Sequence, residues 1–294
     1  MSLPNLLIVG AAKSGTTSLH NYLNQHPDIF MCDPKEPHFL INKEIGFNRI
    51  PVGISNWKKY NNLFYEGIKL KYRGESSVMY LMYPEIVIPK IKKLLGNKTK
   101  IIIMLRNPID RAYSGYHHVK RYNIKEDKDF ETAWNISEER YFKDEEMTPA
   151  SRYRELGLYF NQVTSYLEAF KNVHIIIYDD YEENFQIEMN KVFNFLDVNS
   201  IKVDHYRRYM VGGWQWKNER IKKLIFKQSL IKSLIQIVFP KSIRQKIRKI
   251  IQDKNTVNVP KMSVETRSKL QDFYKDDIIN LSNLLNRDLN NWIK

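Results

Sequence analysis

The sequence predicts an α/β fold, a central parallel sheet flanked by helices, with a C-terminal third that is mostly helical. Three observations predict it. Four short runs, at 5–9, 69–76, 100–106 and 173–180, have the length and apolar or alternating pattern of strands. Helical stretches lie between them, and strands that alternate with helices build βαβ units and a parallel sheet. The first run enters a glycine-bearing turn that opens directly into a helix, and such sheets bind ligands at the carboxyl ends of their strands.

Each element has its own warrant. Residues 5–9 read as a buried strand, and Thr16 to Asn24 as a helix with Leu19, Tyr22 and Leu23 on one face; His26-Pro27 stops it. "KLKYRGES", 69–76, alternates and ends on an acidic residue. "KIIIMLR", 100–106, is a continuous apolar run and is predicted to be the central buried strand. Asp110 opens a helix. A long helix, Glu155 to Phe170, precedes "VHIIIYDD", 173–180, a further core strand.

Composition bounds the classes. The chain has 294 residues, 43% hydrophobic and 13% aromatic, enough to bury a core, and a single domain over 1–294 is expected. Cys32 is the one cysteine, which excludes an internal disulfide and reads against a zinc site; no metal is expected. The apolar run Leu6 to Val9 leads straight into the glycine turn and leaves no room for a signal sequence, so a cytoplasmic location is expected. Net charge is +14, and residues 217–254 hold twelve Lys and Arg against Glu219 and Asp253. So local an excess points to one anionic partner and away from a uniformly basic nucleic-acid binder. Ile221, Leu224, Ile225, Gln228, Ile231, Ile235 and Val238 fall near one helical face there, bordered by Lys222, Lys223 and Lys227. The segment either packs on its own domain with a solvated charged face or makes peripheral contact with an anionic membrane surface through 219–254.

The chemistry starts in "VGAAKSGTTSL", 9–19. The frame Gly10-x-x-x-x-Gly15-Thr16-Thr17 keeps the glycine spacing of a nucleotide kinase loop, but Thr16 stands where that loop has its lysine. Backbone N–H groups of such a turn face an anion, and the following helix adds its dipole. Ser14, Thr16, Thr17 and Ser18 add hydroxyl donors, Lys13 adds charge, and Gly15 permits the left-handed turn. In "MLRNPIDRAYSGYHH", 104–118, Arg106 ends the third strand and Ser114 follows on the next helix. A guanidinium fork with a hydroxyl grips a phosphate well. An Arg106 paired with Asp110 is the bland alternative.

Together "KSGTTSL" and "RNPIDRAYSGY", about ninety residues apart, resemble the two nucleotide motifs of the sulfotransferases that use 3′-phosphoadenosine 5′-phosphosulfate (PAPS). The motifs are [RK]-x-G-T-[TS]-x-L and R-[ND]-P-x-x-R-x-x-S-x-Y. The likeness continues through "DFETAW", "GLYFNQVTSYLEAF" and "LLNRDLNNW", nearly the whole chain. It implies the P-loop nucleotide-kinase-like sulfotransferase fold and an enzyme that moves a sulfuryl group from PAPS to an acceptor hydroxyl, less readily to an amine. It also explains the displaced lysine. A sulfuryl group carries less charge than a phosphoryl group and needs no Mg²⁺ clamp, and Lys13 is placed for the bridging oxygen, where charge grows as the S–O bond breaks.

Further roles come with the resemblance. In "CDPKEPHFL", 32–40, Glu36 matches the general base, and His38 an alternative base or acceptor contact. In "RGESSVMYL", 73–81, Glu75 and Ser76 would line the active-site mouth; the polysaccharide branch has Lys at Ser76 and Pro at Val78. In "IIIYDDYEEN", Tyr178 matches an adenine contact. "YMVGGWQWKNE", 209–219, is similar to a loop that closes over the nucleotide, with Met210 and Val211 in place of its basic pair and Arg207, Arg208 or Arg220 as substitutes. The acceptor, a glycan, another alcohol or a lipid-linked molecule, and the oligomeric state stay open. Two other readings compete: a P-loop kinase or NTPase using ATP and magnesium with "IIIYDD" as its metal strand, and a non-catalytic binder of membranes or acidic polymers built on 219–254.

Overall fold

A computed structural model of the chain describes residues 2–205, 212–226, 240, 243 and 250–294. Five parallel strands form the main sheet: β1 (Leu6–Gly10), β2 (Ile29–Met31), β3 (Tyr72–Ser76), β4 (Lys100–Leu105) and β5 (Val173–Ile177), in the order β2-β3-β1-β4-β5. β1 and β4 are almost wholly buried, because helices cover both faces of the sheet and leave no side chain of these strands to water. The two faces carry separate apolar clusters. Leu7, Val9, Ile101 and Ile103 point to one, with Tyr159 and Tyr166; Leu6, Ile8, Ile102 and Met104 point to the other, with Leu19 and Phe193. Alternation along each strand sorts them.

Several expectations change. β1 is the central strand; the 100–106 run lies one place outward, since hydrophobicity reports burial and not position in the sheet. β3 starts at Tyr72, after a turn in which Leu70 N–H bonds Gly67 O at 2.9 Å. β5 stops at Ile177, and Tyr178 opens a helix, Tyr178–Glu183, whose first turn holds Asp179 and Asp180, where acidic residues suit the dipole. The predicted helix 155–170 divides into a 3₁₀ turn, Glu155–Gly157, and the helix Tyr159–Ala169. Gly157 lies so close to the Tyr274 ring that a Cβ there would stand 2.8 Å from it. β2 carries no signal long enough to read, and neither do the antiparallel strands β6 (Trp214–Trp216) and β7 (Thr256–Asn258).

In the basic segment the helix Glu219–Phe226 is described; Arg207, Arg208, Met210, Val211, Lys227, Gln228, Ile231, Ile235 and Val238 lie outside the described residues. Its inward face is not the predicted one. Lys222 is buried, its ammonium 3.0 Å from Glu219, whereas Leu224 is 78% exposed. Phe226 meets Tyr122 and Trp216 edge-on, and that aromatic packing sets the rotation of the helix. No helix among the described residues is long and apolar enough to cross a membrane.

Candidate active site

The carboxyl ends of β1, β3, β4 and β5 open into a cleft of about 1020 Å³. Its floor is the turn after β1. Gly15 takes φ 90°, in the left-handed region, and the helix Thr16–Leu23 begins with no side-chain cap, so its first N–H groups remain for a ligand. A Cβ on Gly15 would come within 2.9 Å of the Tyr178 ring and 3.1 Å of Met104. Only glycine fits this cradle. Lys13, Gly15, Thr16, Thr17 and Ser18 line the cleft. The Ser14 side chain is buried and is not among the lining; its hydroxyl has no hydrogen bond.

Arg106 follows β4 at the other wall. One of its Nη atoms donates to Lys13 O at 3.3 Å, and the guanidinium lies over the Tyr178 ring, 4.9 Å from its centre. Asp110 pairs instead with Arg267, at 2.5 Å. The sequence Arg-Asn-Pro has a local cause: the Asn107 side chain caps the helix Pro108–Tyr122, accepting from Ile109 N–H at 3.0 Å, and Pro108 occupies the first turn, where no N–H is needed. This helix then turns Arg111, Ser114, Gly115 and His118 toward the cleft.

Glu36 and His38 form the opposite end. Glu36 N–H bonds Ser76 O at 3.0 Å and His38 N–H bonds Ser77 Oγ at 3.1 Å, so the end of β3 holds their loop in place. The Glu36 carboxylate lies 2.6 Å from Lys35 Nζ and 3.0 Å from His38 Nε2. Its side chain keeps 32% of its surface open. Burial alone would raise its pKa, but the Lys35 ammonium and the His38 hydrogen bond prevail and hold the carboxyl well below the usual range. Beyond it, Arg49, Ile50, Pro51 and Val52 face Thr148, Pro149 and Ala150 across the cleft. Arg49 joins these walls, donating to Tyr141 O at 2.8 Å and Met147 O at 3.1 Å. Glu75 and Ser76 do not line the mouth as expected. Both are fully buried behind the loop, and Ser76 Oγ sits 2.8 Å from His20 Nδ1.

Lys13 stands between the two ends. Burial lowers its pKa to about 8, helped by the charges of Arg121 and Arg106 and opposed by Glu36. His118 is lowered to about 3, first by burial and then by Lys13 and Arg121, so it is neutral at physiological pH. Sequence reading missed His118 as a lining residue, although it lies four residues, one helical turn, after Ser114. Arg49 to Val52 carried no such signal.

The profile of the sulfotransferase domain matches residues 3–284. The chain belongs to the sulfotransferase family. Among solved structures, a sulfotransferase from Alicyclobacillus acidocaldarius is similar over 99% of both chains, with a TM-score of 0.74 and 28% identity. A bifunctional heparan sulfate N-deacetylase/N-sulfotransferase 1 of Caenorhabditis elegans is 28% identical over 214 residues, 71% of this chain and 24% of that protein. Human carbohydrate sulfotransferase 15 is 23% identical over 249 residues, 68% of this chain and 44% of that protein. The chain thus spans less than half the length of these two curated relatives.

Asp179 and Asp180, the acids of the rival metal strand, are engaged elsewhere. Trp292 Nε1 donates to Asp179 at 2.8 Å, and Arg287 pairs with Asp180 at 2.6 Å. Neither lines the cleft.

Proposed function

We propose that the cleft binds PAPS and transfers its sulfuryl group to a hydroxyl of a carbohydrate or other alcohol, an amine being the less suited acceptor. The observation that carries this reading is the convergence of Lys13, Glu36, and Arg106 with Ser114, from three separate stretches of sequence, on one cleft. The residues fit the group. The glycine cradle and uncapped helix start suit a 5′-phosphosulfate. Arg106 and Ser114 suit a 3′-phosphate, and Tyr178, backed by Arg106, offers an aromatic face for adenine. The acceptor oxygen attacks sulfur, the bond from sulfur to the 5′-phosphate oxygen breaks, and the acceptor proton passes to Glu36. Lys13 meets the charge that grows on the departing oxygen, leaving adenosine 3′,5′-bisphosphate. The names of the relatives, heparan sulfate and carbohydrate sulfotransferases, support a glycan acceptor.

Thermal unfolding tests the reading before any acceptor is known. Adenosine 3′,5′-bisphosphate at about 100 times its Kd should stabilise the fold by about 2.7 kcal/mol, and ATP with Mg²⁺ should do far less. Arg106→Ala should weaken the bisphosphate by about 1.5–3 kcal/mol and adenosine 5′-phosphate hardly at all, because only the first offers a 3′-phosphate. Equal stabilisation by ATP with Mg²⁺ would return the kinase reading.

A further inference from the structure

A second polar cluster lies behind the Glu36 loop, and none of the steps above uses it. Glu75, on β3, is wholly buried, and neither carboxylate oxygen closes a hydrogen bond. The hydroxyls of Tyr60, in the helix Trp57–Asn62, and of Ser77 and Tyr80, in the turn after β3, surround it without well-formed bonds to it. Two of these hydroxyls are engaged: Tyr80 accepts Leu40 N–H at 3.1 Å and Ser77 accepts His38 N–H at 3.1 Å. The Cys32 thiol, at the end of β2, completes the surroundings. His38 borders the same pocket, its ring edge-on to Tyr80 at 6.4 Å, with Nδ1 buried and unpartnered. Its other nitrogen, Nε2, is the one 3.0 Å from Glu36. One imidazole thus holds the carboxyl in the cleft through Nε2 and has a second, buried carboxyl among its charged neighbours.

A neutral imidazole has one donor and one acceptor nitrogen, and the partner of one nitrogen decides the role of the other. The Glu75 carboxyl and His38 Nδ1 both lack another partner, so a small closure would let a protonated Glu75 donate to Nδ1, with Nε2 keeping its hydrogen and donating to the Glu36 carboxylate. An ionised Glu75 draws the hydrogen to Nδ1 and turns the Nε2 lone pair on Glu36. We propose that Glu75 is a positioning residue that sets the tautomer of His38 and, through it, the hold on Glu36. This rests on Glu36 being the base.

Burial raises Glu75 to about 7, with Tyr80, Tyr60, His38 and Ser77 offsetting part of the rise, so the carboxyl changes charge near neutrality. The neutral form supports the bond to Glu36. The catalytic rate should therefore fall as pH rises through about 7, while nucleotide affinity does not follow that step.

Glu75→Gln and Glu75→Leu separate the possibilities. The glutamine amide is a permanent neutral donor, so Glu75→Gln should keep its activity and lose the descending step. Glu75→Leu should lower kcat roughly tenfold at every pH, as loss of an orienting partner does. Binding of adenosine 3′,5′-bisphosphate should be unchanged in both. Should neither variant fold, ¹⁵N shifts of the His38 ring in the native protein report the same thing: the hydrogen should move from Nε2 to Nδ1 as pH rises through about 7. A descending step that survives in Glu75→Gln, or a His38 tautomer that ignores pH, would overturn the proposal. Failure of the base assignment looks different: Glu36→Gln would stay active while the His38 ring still responded.

Discussion

Lys13, Glu36 and His38 share a backbone conformation that few side chains adopt, with φ of 68°, 64° and 50°. Among the described residues only two other non-glycine positions have it, Asp197 and Asn286, so the unfavourable torsions gather at the cleft. Each costs on the order of 1–3 kcal/mol and persists because the surroundings hold it: Ser76 O and Ser77 Oγ hold the Glu36 and His38 N–H groups, and Arg106 donates to Lys13 O. Lys13→Ala should lower kcat by roughly 10²–10³ in a folded protein, as loss of a transition-state donor does. Charged Lys13 is the form that attracts an anion, and it prevails below its pKa of about 8. Affinity for adenosine 3′,5′-bisphosphate should therefore fall as pH rises through about 8, and calorimetry on Lys13→Ala should show that slope gone. Glu36→Gln should reduce kcat roughly 10²–10⁴-fold with nucleotide affinity intact, and His38→Ala much less. Near-normal turnover in Glu36→Gln beside a dead His38→Ala would make the histidine the base. Because Glu36 is held ionised well below the usual range, its own titration should leave no rising limb of kcat at mildly acidic pH.

The turn and helix after β1 act as one element. The left-handed Gly15 lets the chain reverse under Tyr178, and the uncapped first turn of Thr16–Leu23 then faces the cleft. Gly15→Ala would place a methyl group against Tyr178 and Met104 and force φ of 90° on an alanine. Denaturant titration should show a loss of about 1–2 kcal/mol from the left-handed torsion alone. Bisphosphate binding should weaken in parallel. Full affinity in this variant would mean that the anion is not gripped by the turn. The helix Pro108–Tyr122 is the companion element: its Asn-Pro start aims Arg106 and Ser114 at the same space, one before the helix and one on its second turn.

The whole molecule closes on the strand ends from its C-terminal side. Trp292 is buried; its indole donates to Asp179, and its carbonyl accepts from the Asn107 amide at 3.5 Å. Asp179 follows Tyr178 and Asn107 follows Arg106, so one residue, through its indole and its main-chain carbonyl, braces both walls of this end of the cleft. Trp292→Ala should cost about 3–5 kcal/mol of stability, and losing the indole bond to Asp179 should also loosen the neighbouring Tyr178. Melting curves with and without bisphosphate check both effects. An unchanged ligand-induced shift would confine Trp292 to packing.

The end of the cleft built from Lys13–Ser18, Arg106 and Ser114 was readable because its residues fall in two contiguous stretches of the sequence. A glycine turn, a lysine inside it and an Arg-Asn-Pro helix start are each written within a few residues, and backbone geometry follows locally from them. The strand runs were readable for the same reason, except where they were short, as in β2 and the β6–β7 pair. Tertiary structure decided the rest. It made β1 the centre, buried Glu75 and Ser76, turned Lys222 inward and Leu224 outward, and brought residues 49–52 against 148–150. Burial and charge pairing depend on groups distant in sequence, and a carboxyl such as Glu75 takes its charge state from what is folded around it.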